Sequence, residues 1–222
     1  RPPRSTLFPY TTLFRSTYFL FGLTPEQIAG SFMPLGPYTK REVREMARRF
    51  RLPNAEKTES QDACFGYRDE TFAQTLCNLF KRKPKKGLIK DKNGKVLAEH
   101  DGIHLFTIGQ RRGLGVALGS PAYVTGIDAR TGDVTVSKDE KELFTDRLTA
   151  DGLNWQAANF ADKGFKCQAQ IRYRGKAVDA EVVPVAGGRV EVRFAKPVRA
   201  VTPGQAVVFY EGARLLGGGW II

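Results

Sequence analysis

The last third of the chain restricts the fold most. From residue 143 to 222, short segments rich in β-branched and aromatic residues are cut at close intervals by turn residues. Residues 165–173, 177–185, 189–194, 206–210 and 214–222 read as strands. Gly187-Gly188, Pro203-Gly204 and Glu211-Gly212 mark turns between them. Short antiparallel strands at this spacing predict a small closed barrel, because closure alone removes the unpaired edges of such a sheet.

The preceding residues have a different character. Residues 17–80 read as helical. Thr24-Pro25-Glu26-Gln27 is a helix start, with Thr as N-cap, Pro at the first helical position and Gln at the third. Thr39-Lys40-Arg41-Glu42 repeats the capping-box logic. Val43, Met46, Ala47 and Phe50 then recur at helical spacing and leave the arginines outside, and Pro53 comes after the end of that helix. Phe72, Leu76, Leu79 and Phe80 define a further amphipathic helix after a polar loop. Residues 81–138 turn to short strands. Asn93-Gly94, between Leu88-Ile89 and Val96-Leu97, signals a two-residue hairpin turn, and 128–133 marks a second hairpin. The charged stretch 137–142 reads as a linker. Residues 1–16 share no helical or strand period with residues 17–80 and read as a non-native leader. The fold class is therefore α+β: a helical part at 17–80, a small β-rich domain at 81–138 and an antiparallel β-barrel at 143–222.

Charge narrows the partners. The chain of 222 residues has a net charge of +12. Residues 81–95 hold eight basic side chains and one acid, and residues 40–51 hold six and two, so these two stretches account for nearly the whole excess. Such runs are either solvated faces or the footprint of a polyanion, and nucleic acid is the better reading. No apolar run approaches the roughly 20 residues that span a bilayer, and no secretory signal opens the chain, so a cytoplasmic location without membrane association is expected. Three widely spaced cysteines and two histidines argue against a disulfide framework and against a multi-ligand metal site.

Few side chains can carry chemistry. Cys64 ends the polar loop Ser60-Gln61-Asp62-Ala63-Cys64-Phe65-Gly66. A loop thiol near a helix start suits nucleophilic or persulfide chemistry, but from the pattern alone a half-buried cysteine without a role is the better reading. Cys77 sits next to Leu76 on an apolar helix face and reads as core. Cys167 lies in a strand and reads as structural. His100 and His104 flank a turn at Gly102, which breaks the helix that a paired metal site would need. Gly109-Gln110-Arg111-Arg112-Gly113-Leu114-Gly115 is not a phosphate-loop motif, though its arginines could touch an RNA backbone. Arg172 and Tyr173, at the end of a barrel strand, could hold a phosphate and stack on a base, or could be an ordinary solvent-facing strand end.

Six motifs in order carry a family resemblance. They are Thr17-Tyr18-Phe19-Leu20; Pro34-Leu35-Gly36 with Lys40 and Glu42-Val43-Arg44; Ser60-Gln61-Asp62-Ala63-Cys64-Phe65; Thr107-Ile108-Gly109-Gln110-Arg111 with Gly113-Leu114-Gly115; Ala200-Val201-Thr202-Pro203-Gly204-Gln205; and Leu216-Gly217-Gly218-Gly219. From Thr17 to Ile222 the chain resembles the tRNA-specific 2-thiouridylases. The resemblance implies that 17–80 is the helical tail of an α/β PP-loop domain. It implies ATP-dependent (with Mg2+) sulfur transfer to C2 of the wobble uridine of tRNA. It makes Cys64 the persulfide carrier, loaded by a sulfur-relay donor protein. It also implies a disulfide between that cysteine and a second one in the front domain, and tRNA contacts at Arg172, Tyr173 and Gln205.

Departures from the family pattern set further expectations. The chain contains no S-G-G-x-D-S motif and no cysteine before Cys64, and Phe14-Arg15-Ser16 stands where the family has K-D-Q. The sequence therefore reads as a truncated member with a foreign leader, without an ATP site and inactive alone. The competing readings are a non-catalytic RNA-binding barrel module in which Cys64 is inert, and a barrel whose basic surface meets a protein.

Overall fold

The computed structural model describes residues 17–57, 72–81, 84–116, 118–156, 163–173 and 175–222. They fall into two compact units. One takes in Asp146–Lys196 and Pro203–Ile222 with the described residues of the amino-terminal segment, and the other takes in the described residues of Gln61–Thr145 with Pro197–Thr202.

The first unit is built on the closed barrel. Its six strands are β5 (Phe144–Trp155), β6 (Phe165–Gln170), β7 (Val178–Val185), β8 (Arg189–Arg199), β9 (Ala206–Glu211) and β10 (Arg214–Ile221), closing in the order β10-β5-β8-β7-β6-β9. The pairs β6–β7, β7–β8, β6–β9, β9–β10 and β10–β5 are antiparallel. Three details differ from the sequence reading. β6 stops at Gln170, short of residue 173. β8 runs on to Arg199, beyond residue 194. A sixth strand, β5, closes the barrel, although its sequence FTDRLTADGLNW carries only scattered apolar positions, with Leu148 and Ala150 buried.

Strand β9 is buried from Ala206 to Tyr210, an uninterrupted run rather than an alternation. Both of its faces are covered. Phe209 stacks on Trp155 at 5.6 Å and meets Phe165 edge-on at 6.4 Å. The opposite face presents Ala206, Val208 and Tyr210 to Tyr18 and Phe21. Those two residues belong to a 3-10 turn, Thr17–Gly22, laid across the outside of the barrel.

That turn is anchored by polar groups as well. The Tyr18 hydroxyl donates to the Ala206 carbonyl (2.8 Å), and Thr17 Oγ1 donates to the Tyr210 hydroxyl (3.4 Å). Asn154 Nδ2 donates to the carbonyls of Phe21 (2.6 Å) and Leu23 (2.8 Å), and Gln156 Nε2 donates to Leu23 (2.8 Å). Carbonyls that a short 3-10 turn leaves without partners are thereby satisfied. Gly218 makes the approach possible, since a Cβ there would lie 2.7 Å from the Phe21 ring and 2.7 Å from the Val207 carbonyl oxygen.

Both expected capping boxes are present. Thr24 Oγ1 accepts from the Gln27 amide (3.2 Å) while Gln27 Oε1 accepts from the Thr24 amide (2.8 Å), opening the helix Pro25–Gly30. Thr39 and Glu42 do the same for the helix Lys40–Arg49. That helix ends with Arg51 at φ +53 and the Leu52 amide returning to the Ala47 carbonyl, so the chain is turned out ahead of Pro53. Neither helix buries a residue fully, and Phe32, Leu35 and Phe50 are exposed. The helix Phe72–Phe80, in the other unit, has the expected bounds.

The second unit is a four-stranded sheet of β1 (Gly87–Asp91), β2 (Val96–His100), β3 (Tyr123–Asp128) and β4 (Asp133–Ser137), in the order β2-β1-β4-β3. β1 and β4 run parallel, with Ile89 beside Val134. Ile89, Phe106, Leu114, Val124, Val134 and Val136 form its core. The β1–β2 connection corrects the two-residue turn. The strands stop at Asp91 and Val96, because Asp91 Oδ1 accepts from the amides of both Asn93 and Lys95 (2.9 Å each) and holds a wider turn, with only Gly94 at positive φ (+83). The charged stretch 137–142, read as a linker, leads into a short turn. Asp139 caps a 3-10 turn, Glu140–Leu143, whose Leu143 is buried. His100 is a packing residue. It accepts from the Gly102 amide at Nδ1 (3.0 Å), lies 2.9 Å from the Gly132 carbonyl through Nε2 and meets Phe106 edge-on.

If Gly218 is the contact that lets the turn dock, Gly218→Ala forces Phe21 off the barrel and destabilises the chain by about 1–3 kcal/mol. Gly126→Ala is the control. Its Cβ would meet Thr135 at an ordinary 3.5 Å, and the change should stay within about 0.5 kcal/mol. Urea denaturation of the two variants checks this.

Candidate nucleic-acid interface

At one end of the barrel the chain leaves β6 and turns. The strand ends at Gln170, so Arg172 and Tyr173 stand in the turn just beyond it rather than in the strand. Gln170 is only 1% exposed. Its Nε2 donates to the carbonyls of Arg172 (2.8 Å) and Tyr173 (3.0 Å), and the Gly175 amide donates to the Arg172 carbonyl (2.9 Å). A buried side-chain amide therefore fixes the backbone that presents both residues.

Gln205 comes to the same end from another strand. Gln170 lies beside Val208 in the β6–β9 pairing, so the chain leaving β6 and the chain leading into β9 meet there. The Gln205 carbonyl accepts from the Ile221 amide (2.8 Å). Tyr18 links the two sides. It bonds the carbonyl of Ala206, next to Gln205, and its ring lies 6.1 Å from that of Tyr173. Phe19 completes the group, 4.9 Å from Tyr173 and 5.4 Å from Tyr18. Arg172, Tyr173 and Gln205 stand out in the sequence. Tyr18 and Phe19 are visible there only as part of a motif, and Gln170 and Asn154 give no local signal, because their partners are remote or depend on how the turn folds.

Burial sets the electrostatics. The Tyr18 hydroxyl is pushed up to about 12, first by burial and then by Tyr210, with the nearby Arg172 charge opposing. Burial likewise pushes Tyr210 up to about 12. Both phenols are neutral at neutral pH, Tyr18 donating to the Ala206 carbonyl and Tyr210 accepting from Thr17. Cys167 is also raised to about 12, by burial and then by the charge of Asp179, so it is no nucleophile. Cys77 and Cys167 are free thiols, and Cys77 is half-buried. Cys64 lies outside the described residues.

The basic stretch 81–95 is partly engaged within its own unit. Lys90 pairs with Asp133 (2.6 Å), Lys92 with Glu142 (3.1 Å) and Lys86 with Asp101 (3.4 Å), while Lys85 donates to the Arg130 carbonyl (2.6 Å). In the other stretch, Arg48 forms a two-pronged pair with Glu56 (2.6 and 3.2 Å). Exposed pairs of this kind exchange readily with solvent and counterions. In the 109–115 loop, Gln110 is pinned by the Thr107 amide and the Arg112 carbonyl, while Arg111 and Arg112 face solvent. Arg111 lines an open cavity of about 430 Å3 with Leu114, Val116, Leu118 and Pro121. Among the described residues no helix is long and apolar enough to cross a membrane.

Three family profiles match the chain in succession: a tRNA methyl transferase HUP domain over residues 14–67, a tRNA methyl transferase PRC-barrel domain over 74–138 and an aminomethyltransferase beta-barrel domain over 145–221. The class is thus that of proteins carrying these tRNA methyl transferase-type domains in succession, the last profile covering the closed six-stranded barrel. The tRNA-specific 2-thiouridylase MnmA of Geotalea uraniireducens is 44% identical over 205 residues, covering 92% of this chain and 54% of the relative. Those of Geobacter metallireducens and Carboxydothermus hydrogenoformans are 46% and 44% identical, each over 92% of this chain and 55% and 56% of the relative. The chain belongs to the tRNA-specific 2-thiouridylase family, and it spans about half the length of the curated relatives it matches.

Two solution measurements check the burial of these groups. In a titration of tyrosinate absorbance, two of the seven tyrosines should ionise only near pH 12. A neutral phenol whose folded value is raised stabilises fully below its ordinary value of 10.0, and that contribution is lost as pH climbs towards about 12. Tyr18→Phe, which loses the hydrogen bond to the Ala206 carbonyl, should be less stable than the parent at neutral pH, with the deficit narrowing across that window as the parent's unfolded tyrosine ionises. Alkylation at neutral pH should leave Cys167 unmodified until the chain is unfolded, as read by mass spectrometry.

Proposed function

We propose that this chain is the tRNA-gripping and sulfur-carrying portion of a tRNA-uridine 2-sulfurtransferase. The clustering of Arg172, Tyr173 and Gln205 at one barrel end, beside the Tyr18–Phe19 aromatic pair, is the observation that supports the reading most. Arg172 supplies charge for a phosphate, Tyr173 a ring for a base, and Gln205 an amide for hydrogen bonding. The basic stretches supply affinity, which is not specific to sequence, and the barrel end supplies register.

Cys64 is the expected sulfur carrier. Its thiolate accepts a sulfane sulfur from a donor protein's persulfide, forming Cys64–S–SH as the donor cysteine leaves as thiolate. The terminal sulfur then bonds C2 of the wobble uridine as the C2–O bond breaks and the oxygen departs with its activating group, while the thiolate of a second cysteine, which the resemblance puts in the front domain, attacks Cys64, breaks its S–S bond and forms the disulfide. The target base must leave its stack for C2 to be reached. The residues present do not fit an ATP site, since the chain has no PP-loop motif, and activation of the C2 oxygen is not assigned to any of them. We place the reaction in the cytoplasm.

Persulfide trapping tests the reading. With a persulfide donor, labelling should fall on Cys64 and vanish in Cys64→Ser. tRNA binding should weaken steeply with salt, and Arg172→Ala should lower the log–log salt slope by about 1. These 222 residues alone, given tRNA, ATP and donor, should form no thiouridine. Salt-dependent tRNA binding without any label on Cys64 would instead favour a non-catalytic RNA-binding barrel.

A further inference from the structure

Phe19 stands out at the barrel end. It is 64% exposed, although both neighbours in its turn that point inward, Tyr18 and Phe21, are buried. A single exposed apolar ring needs no explanation. This one, however, lies between two anchored neighbours: the Tyr18 hydroxyl donates to the Ala206 carbonyl, and Asn154 Nδ2 donates to the Phe21 carbonyl. The Phe19 ring lies 4.9 Å from Tyr173, itself 38% exposed, with the ring planes inclined by 37°. Arg172 adjoins Tyr173 in the same turn.

We propose that Phe19 and Tyr173 together form a two-ring shelf on which an unpaired RNA base stacks, with Arg172 meeting the adjoining phosphate. This rests on the reading that the barrel end takes tRNA, and it adds Phe19 as a residue that selects unpaired over paired RNA. The occupant is fixed by chemistry. Two exposed aromatic rings beside a guanidinium, on a chain of net charge +12, complement a flat base carried on an anionic backbone. A duplex keeps its base faces stacked against one another and presents nothing for the shelf to cover. The shelf is preorganised by buried anchors, so little side-chain freedom is lost on stacking.

The test uses the 222-residue chain and two RNA probes of equal length, a stem-loop with an unpaired loop and a fully paired duplex, with affinities read by fluorescence anisotropy. Phe19→Ala and Phe19→Leu should each weaken stem-loop binding by about 5- to 150-fold, the span of one base–aromatic stack, and change duplex binding by less than about 2-fold. Phe19→Trp should keep stem-loop affinity, and its fluorescence should be quenched by the stem-loop and not by the duplex. Melting curves establish that each variant folds, and if Phe19→Ala does not, the leucine and tryptophan variants decide. Unchanged stem-loop binding in the leucine variant, or equal losses on both probes, overturns the shelf. Arg172→Ala separates the two levels. If it weakens both probes while the Phe19 variants bind normally, only the shelf fails. If it weakens neither, the barrel-end reading fails.

Discussion

The seating of Thr17–Gly22 across strands β9 and β10 is the contact on which the barrel end depends. It brings residues near the start of the described chain against residues about 190 positions later, through the Tyr18–Ala206 hydrogen bond and the Phe21–Gly218 contact. Without it, the outer face of β9 would expose Ala206, Val208 and Tyr210 to water, and the run of apolar residues in that strand would have no reason to be continuous. With it, Tyr18 lies between the chain leaving β6 and the chain leading into β9, and Phe19 is set beside Tyr173. Docking of the turn thus covers the outer face of β9 and assembles the candidate interface together.

Two kinds of positive charge result from this arrangement. Much of the basic stretch 81–95 lies in ion pairs and backbone contacts within the four-stranded unit, so part of its formal charge is balanced locally. Arg172 is placed differently, on a turn whose carbonyls are held by a buried glutamine amide and next to aromatic rings. Long-range attraction needs only net charge, whereas register on a folded RNA needs groups held in fixed relation. The sulfur chemistry divides in the same way. Burial keeps Cys167 protonated at neutral pH, and the proposed sulfur chemistry is assigned to Cys64 instead.

Much of this is legible in the sequence. Both capping boxes depend on side chains three residues apart, and Thr24–Gln27 and Thr39–Glu42 formed as expected. The barrel strands β6, β7, β9 and β10 are marked by apolar runs between glycine turns. β5 escapes notice because FTDRLTADGLNW has polar residues facing outward and few apolar ones to mark its period. The Asn93-Gly94 signal points to a hairpin but not to its turn, since the Asp91 carboxylate recruits two amides and widens it.

The sequence alone determined the identity of local elements, the two basic stretches, and the residues Arg172, Tyr173 and Gln205 as a set worth testing, because each rests on short-range periodicity or on motif order. Only tertiary structure decided that these three share one barrel end, that Gln170 braces the Arg172–Tyr173 turn from inside and that Phe19 stands exposed beside Tyr173. Those relations depend on which strand lies beside which and on what seals the outer face. Such choices are made by burial between residues far apart in the chain, and no local pattern encodes them.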